Sequence, residues 1–232
     1  MKKLIAVLGL IIIAGLMVQA EIKVVSVKGD ISVRHGTQEQ WRALTAGDIL
    51  KPEDSMKSGD SSSAVLMVDG KTKLILPPMV IIDCSDIRIL TQEELLLKLA
   101  MEGIRSVPTQ NRDNGLTLPK TTTVHGTHTE EGKTLQPLNK EEYVLLLNGT
   151  RVLYKHGFYA TMVLRAKDVF RFDPDQHKRI DIRLMMANAF EKMKLNGEAL
   201  SEYVSLSKEQ MSAKERLIVK EKITQLKKKQ EG

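Results

Sequence analysis

The sequence predicts an α+β protein in which a small all-β domain, a sandwich or open barrel, precedes a segregated all-α domain of antiparallel helix pairs. From Val24 to Leu90, short apolar and polar alternations are separated by Gly-Asp and Asp-Gly pairs, which is typical of strands joined by tight turns. From Tyr143 onward, apolar residues recur at helical spacing. The predicted organisation is a signal peptide over 1–20, a β domain over 21–90, a helix and a Thr/Pro/Gly-rich linker over 91–139, and a helical domain over 140–230.

The composition limits the classes of function that the chain can have. The chain has 232 residues, of which 42% are hydrophobic and 28% charged, so it can form one or two packed domains. Its formal charge of +6 is mild, and no basic run is interleaved with aromatic residues, which argues against a nucleic-acid partner. The charge permits loose attraction to anionic envelope polymers or lipid head groups. The single cysteine, Cys84, excludes an intrachain disulfide, and its apolar neighbours predict a buried, unreactive thiol.

The first twenty residues have the pattern of a bacterial export signal. Met1-Lys2-Lys3 is a short positive region, an apolar run extends from Leu4 to Val18, and Val18-Gln19-Ala20 supplies a cleavage site. The run is shorter than the ~20 residues that span a bilayer, so cleavage after Ala20 is favoured over an uncleaved anchor. Both alternatives export the rest of the chain by the Sec route, which predicts a periplasmic or secreted protein.

The β domain should contain about eight short strands. Asp69-Gly70 is the strongest hairpin signal, and the last two strands are expected at Met79–Ile82 and Ile87–Leu90. Trp41 and Leu44 are expected to cover one end of a sheet. Glycines in Gly47-Asp48 and Ser58-Gly59-Asp60 should take positive φ. Four aspartates lie at turns without the spacing of a calcium loop. We therefore predict that they form turns and bind no metal; they are Asp48, Asp54, Asp60 and Asp69.

This stretch resembles the FecR domain, named for the iron-dicitrate sensory regulator and found in bacterial exported proteins. The resemblance is carried by Val27-Lys28-Gly29-Asp30-Ile31, Trp41 with Leu44, Gly47-Asp48-Ile49-Leu50, Asp54-Ser55-Met56-Lys57-Ser58-Gly59, Ser63-Ala64-Val65-Leu66 and Asp69-Gly70-Lys71-Thr72. The family often has Thr where Ser58 stands. It implies an envelope-side β module without catalytic residues. The best-known member restrains a sigma factor through a cytoplasmic segment before its membrane helix. Only Met1-Lys2-Lys3 precedes the apolar run here, so that role is not expected.

The connector begins with a helix and then loses periodicity. Thr91 is an N-cap followed by acids in the first turn, and the helix should end near Gly103. His125 and His128 lie in the linker without a cysteine or an assured carboxylate partner. We therefore predict solvated histidines and no metal site there, and the same holds for the separate His156 and His177.

The helical domain should contain two helix pairs and a capping helix. The first pair is separated by Lys155-His156-Gly157 and ended by Asp173-Pro174; a second unit begins about 37 residues later, near Ile182. A cap is expected over Ser212–Lys229. The pairs resemble tetratricopeptide repeats, which bind extended peptides in a concave groove. The matching small, turn and closing positions are Gly149, Gly157, Tyr159, Ala166, Pro174 and Ala199, whereas Met162 departs from the pattern. A generic bundle of helical hairpins is the alternative.

Together these features predict a non-enzymatic, exported cell-envelope protein that acts as a protein-binding or scaffold module. No nucleophile elbow, paired-carboxylate site, zinc motif or phosphate loop occurs in the sequence, so no catalytic, cofactor-binding or metal-ligating residue is assigned. The alternatives are an envelope-side component of a FecR-type signalling system and a wall-polymer-binding protein. Expected partners are envelope proteins or cell-wall polymer, with membrane contact only through an uncleaved leader. A homodimer remains open, and no residues are singled out for the binding surface.

Overall fold

The fold is taken from a computed structural model that describes residues 21–38, 40–105 and 140–231. The predicted signal peptide, most of the linker, and His125 and His128 lie outside the described residues.

Within the described residues, the β region consists of eight strands in two antiparallel sheets. The strands are β1 Ile22–Lys28, β2 Ile31–His35, β3 Arg42–Ala43, β4 Ile49–Leu50, β5 Asp54–Ser58, β6 Ser63–Val68, β7 Thr72–Leu76 and β8 Val80–Asp83. The first sheet has the order β4-β1-β6-β7, and the second has the order β3-β2-β5-β8. Alternate residues of both sheets, such as Val24 and Leu66 in the first and Val33 and Met56 in the second, belong to one buried core. The predicted all-β region and its strand alternation are confirmed.

Tight turns set the register of the sheets. In the β6–β7 hairpin, Asp69 and Gly70 both have positive φ, and the N–H of Lys71 donates to the carbonyl of Val68 at 3.0 Å. This confirms the strongest predicted hairpin. Gly47 also takes the expected positive φ, of 97°, whereas in the turn after β5 the left-handed residue is Ser61 and not Gly59.

The predicted strand at Ile87–Leu90 is wrong. A 3-10 turn over Cys84–Asp86 follows β8, and the chain then runs to α1 without pairing. Ile87 and Leu90 are buried while Ile89 is 85% exposed, so the apolar residues point inward at a spacing of three and do not alternate. A strand with one buried face has buried side chains at every second position. Because most residues of this short run are apolar, the sequence did not distinguish a spacing of two from a spacing of three.

Trp41 covers a sheet face and not a sheet end. Its ring centre lies 4.8 Å from the guanidinium of Arg34 and 5.9 Å from the ammonium group of Lys57, two outward-facing side chains of the second sheet. Leu44, expected beside it, is instead buried in the core. Cation–π contacts with two neighbouring strands therefore hold the tryptophan against the outside of this sheet.

The described part of the helical region contains six α-helices. They are α1 Gln92–Arg105, α2 Lys140–Lys155, α3 Tyr159–Phe172, α4 Ile180–Lys192, α5 Asn196–Leu206 and α6 Ala213–Glu231. The Thr91 hydroxyl accepts from the N–H of Glu94, whose carboxylate accepts from the N–H of Thr91, so the predicted N-cap is a capping box. Gly157 ends α2 with a φ of 84°, and Asp173-Pro174 follows α3. These helix starts and stops are confirmed.

Helix α2 joins the two regions. It packs against α3 and α4 on one side and against β8 on the other. Buried residues of the sheets and helices consequently form a single connected cluster. The layout is that of an N-terminal β region and a C-terminal helical region that share a packed boundary.

Candidate functional site

The boundary between the two regions is built on the exposed edges of β7 and β8. The side-chain amide of Asn148 donates to the carbonyl of Met79 at 2.8 Å, and the backbone N–H of Ile75 donates to Nε2 of His156 at 3.4 Å. Between these contacts, Gly149 lies so close to β8 that an added Cβ would overlap the carbonyl oxygen of Ile81. Helix α2 and the residue that follows it thus supply hydrogen-bond partners to strand edges that would otherwise be open for pairing with another chain.

His156 acts as an acceptor at this edge. Burial lowers the pKa of its imidazole, and the neighbouring Lys155 lowers it further. Both effects favour the neutral ring, which is the form that can accept the Ile75 N–H. The ring is half-buried at this contact, which differs from the solvated histidine expected from the sequence.

A buried ionic cluster forms the second part of the boundary. Nε of Arg165 on α3 donates to Asp86 Oδ2 at 2.7 Å, and the same guanidinium pairs with Asp83. The hydroxyl of Ser55 donates to Asp83 at 2.6 Å, and that of Thr161 donates to the backbone carbonyl of Asp86 at 2.6 Å. One cation on α3 therefore joins two carboxylates, one at the end of β8 and one in the 3-10 turn that follows it.

The cluster contains one more carboxylate than guanidinium groups. Burial raises the pKa of Asp86 to about 6, against the opposing attraction of Arg165, and the nearby Asp83 adds to the increase. The Asp86 side chain is only 16% exposed, which accounts for the penalty on its charged form. The cluster can hold the two regions together and can take up a proton at mildly acidic pH.

The sequence contained one signal for this boundary. Val80, Ile81 and Ile82 are consecutive and all buried, although their side chains alternate between the two faces of the sheet. A strand that is apolar at every position is buried on both faces, which predicts a covering element over β8. The identity of that element, α2, was not predictable because its contacts lie about 70 residues away in the chain.

The helical region has a groove that we call the α3–α5 groove. Its volume is about 640 Å³, and it is bounded by α3, α4 and α5, with Leu99 of α1 at one end. Its apolar lining includes Phe170, Met186 and Phe190, which are core side chains no more than 8% exposed. This combination of an apolar lining and several charged neighbours is typical of ligand-binding sites.

Two oppositely charged side chains line this groove. Lys167 of α3 and Glu198 of α5 are both half-buried, and neither has an ion-pair partner within the part of the chain that the structure describes. Gly197, beside Glu198, leaves the wall open because an added Cβ would contact nothing within 4 Å. Among the described residues, the groove therefore offers one unpaired cation and one unpaired anion beside an apolar lining.

The wall formed by α5 is held by a buried arginine. Arg183 of α4 is 1% exposed and donates to Glu202 at 2.7 Å, to Ser205 at 2.8 Å and to Glu209 at 3.0 Å. Since every contact leads from α4 to α5 or the residues just after it, this cluster fixes the width of the groove. His177 lies at the groove with its ring against Phe170, and burial, aided by Arg183, lowers its pKa.

The other residues considered in the sequence analysis take part in contacts that stabilise the fold. Three of the turn aspartates form contacts within the β region. Asp48 pairs with Arg42 at 2.9 Å, Asp54 accepts from His35 at 2.8 Å, and Asp69 accepts from the N–H of Glu21 at 3.0 Å. Cys84 is buried as predicted, and burial strongly raises its pKa.

Across residues 21–38, 40–105 and 140–231, no group of His, Cys, Asp and Glu side chains is arranged to hold a metal ion. Within the same residues, every helix is too short or too polar to cross a membrane.

Comparisons with family models, curated proteins and solved structures find no match to this chain. The resemblances to the FecR domain and to tetratricopeptide repeats therefore rest on the quoted residues and on the order of the secondary-structure elements.

Proposed function

We propose that this chain is a non-enzymatic, exported cell-envelope protein that binds an extended segment of another protein in the α3–α5 groove. The observation that carries the proposal is the apolar lining of Phe170, Met186 and Phe190 beside Lys167 and Glu198, which have no ion-pair partner among the described residues. An extended peptide carries apolar side chains and charges of both signs, so one segment can satisfy all of these groups. The expected ligand has an apolar anchor with an acidic residue on one side and a basic residue on the other.

The β region is proposed to be a FecR-like module that supports the helices. Two antiparallel sheets built from the residues that carry the resemblance support this assignment. Pairs of helices joined through Gly157 and through Met193–Leu195 support a tetratricopeptide-like assignment for the helical region. Both assignments describe a scaffold, in which the sheets fix α2 and the later helices form the binding surface.

Export is proposed from the pattern of the first twenty residues. Sequencing of the mature N-terminus should give Glu21, and fractionation should place the protein in the periplasm or the medium. Recovery of the mature chain from the cytoplasm would contradict the proposal.

The groove is tested by site-specific photo-crosslinking in native envelopes. A benzophenone amino acid at Ser201, an exposed residue on the groove wall, should give a light-dependent protein adduct. Gly197→Trp should abolish that adduct, because the open space at this position lets the indole fill the groove without displacing the core.

The matched control places the same probe, and separately the same tryptophan, at the exposed Gln225 of α6, away from the groove. An adduct that persists in Gly197→Trp, or that forms equally well at Gln225, would contradict the groove assignment. An adduct that contains glycan and no protein would favour the wall-polymer alternative.

A further inference from the structure

The first sheet has an apolar face that is exposed in the described part of the chain. We define this outer face by Lys23 and Val25 of β1, Ile49 of β4, Met67 of β6, and Lys73 and Ile75 of β7. Ile49 is 60% exposed, Val25 is 50% exposed and Ile75 is 43% exposed. A sheet with one solvated face normally carries polar residues there, whereas this sheet has an outward apolar residue on each of its four strands.

The register brings the two lysines into the same row. Lys23 lies opposite both Ile49 and Met67, and Met67 lies opposite Lys73. One line across the sheet therefore reads Ile49, Lys23, Met67, Lys73. Since neighbouring strands are ~4.8 Å apart, the backbones of the two lysines are about 10 Å apart. In a neighbouring row Val65 lies opposite Ile75, which extends the apolar surface along the strands.

Neither lysine is neutralised. No carboxylate is within ion-pair distance of Lys23 or Lys73 in the described ranges of the chain. Two carboxylates at the ends of these strands are engaged elsewhere: Asp48 pairs with Arg42, and Asp69 accepts from the N–H of Glu21. The residues that define the outer face therefore combine aliphatic side chains with two positive charges.

This chemistry selects among the surfaces that could cover the outer face. A second copy of the chain, packed face to face, would bring lysines together, and like charges in contact oppose association. Protein interfaces usually depend on Trp, Tyr and Arg anchors, and none of the residues that define the outer face is of these types. Long lysine side chains can extend from a buried aliphatic surface to phosphate groups, as they do at membrane interfaces.

We propose that the outer face docks on an anionic lipid bilayer, with Val25, Ile49 and Ile75 entering the boundary between head groups and acyl chains and Lys23 and Lys73 contacting lipid phosphates. The docking is peripheral and reversible. It is independent of the α3–α5 groove and leaves that groove free for a protein ligand. It also differs from the sequence-based expectation that only the leader would contact a membrane.

Vesicle co-sedimentation tests the proposal with the chain from Glu21 onward, which contains every described residue and lacks the apolar leader. Binding is expected to vesicles of phosphatidylcholine with about one third phosphatidylglycerol, and not to pure phosphatidylcholine. Lys23→Gln with Lys73→Gln should weaken binding about 30-fold, given the usual contribution of a lysine at an anionic surface. The matched control, Lys227→Gln with Lys228→Gln on α6, removes the same charge from a different surface and should have little effect.

A spectroscopic measurement locates the contact. Because Cys84 is buried and its pKa is strongly raised by that burial, a cysteine introduced by Ile49→Cys can be labelled selectively with an environment-sensitive dye. Anionic vesicles should shift the emission of this dye to the blue, and the same dye at Gln225→Cys on α6 should not respond. The Gly197→Trp variant should bind vesicles normally, so a failure of the groove proposal would not mimic a failure of this one.

Several results would overturn the proposal. They are an absence of binding to anionic vesicles, an equal loss of binding in the α6 control, and an Ile49 probe that does not respond to bound vesicles. If vesicles do not bind but an acidic peptide shifts the Ile49 probe, the outer face belongs to a protein partner instead.

Discussion

Gly149→Ala tests the close contact between α2 and β8. A Cβ at this position would overlap the carbonyl oxygen of Ile81 and lie 3.2 Å from its carbonyl carbon and 3.8 Å from the Cβ of Ile82. The obstructing atoms are backbone, so no side chain can rotate away. Helix α2 would have to move by about 1 Å to restore an ordinary contact distance.

The size of the effect follows from opposing contributions. Overpacking at such a contact costs about 1–3 kcal/mol. The same displacement stretches the hydrogen bonds of Asn148 and His156 to the strand edges, each worth about 0.5–1.5 kcal/mol. Replacing glycine by alanine inside a helix returns about 0.5–1 kcal/mol. We therefore expect a net loss of about 2–4 kcal/mol in the free energy of unfolding.

Urea denaturation measures this loss with two probes. Fluorescence of Trp41, the sole tryptophan, reports on the β region, and far-ultraviolet circular dichroism reports mainly on the helices. The control is Gly197→Ala, which meets open space and should be neutral or stabilising by up to about 1 kcal/mol. If Gly149→Ala is also neutral or stabilising, then α2 does not contact β8 as described. Separate midpoints for the two probes in the variant would mean that the boundary has opened first.

Two further predictions concern the ionic cluster and the last helix. The folded pKa of Asp86, about 6, exceeds its ordinary value of 3.8, so the folded state binds this proton more tightly. Relative to Asp86→Asn, the wild type should gain stability as the pH falls from about 6 towards 4; urea titrations at several pH values measure this, and a pH-independent difference would contradict it. Ser212→Ala should lower stability by about 1 kcal/mol in thermal melts, because it removes the capping box with Glu215 at the start of α6. The exposed Ser207→Ala should change stability by less than about 0.5 kcal/mol, and equal losses in the two serine variants would refute the cap.

Local patterns predicted the elements well. The alternation in Ile31–Arg34 and Ala64–Val68, the turn at Asp69-Gly70 and the caps at Thr91 and Gly157 depend on residues within a few positions of one another. Their physical causes, side-chain alternation and backbone conformation, are therefore contained in short stretches of sequence. The strand expected at Ile87–Leu90 failed because a short apolar run suits a spacing of three as well as a spacing of two.

The candidate sites depend on contacts that no local pattern encodes. Arg165 meets Asp83 and Asp86 across about 80 residues, and its position on α3 resembles that of any solvent-facing arginine. Gly149 was expected only as a small residue of a helical repeat, whereas the structure also places it against the backbone of β8. The α3–α5 groove likewise requires three helices, whose relative placement comes from packing and not from periodicity.

The covering of β7 and β8 by α2 has a consequence for the order in which the chain can reach its final state. The strands precede α2 in the chain, and α2 begins roughly 60 residues after the end of β8. Both at the ribosome and at the export channel, the two strand edges therefore emerge before their partner. During that interval the nascent β region has the exposed edges from which aggregation begins. The covering of these two strand edges is therefore a late step in folding, although the strands themselves come early in the chain.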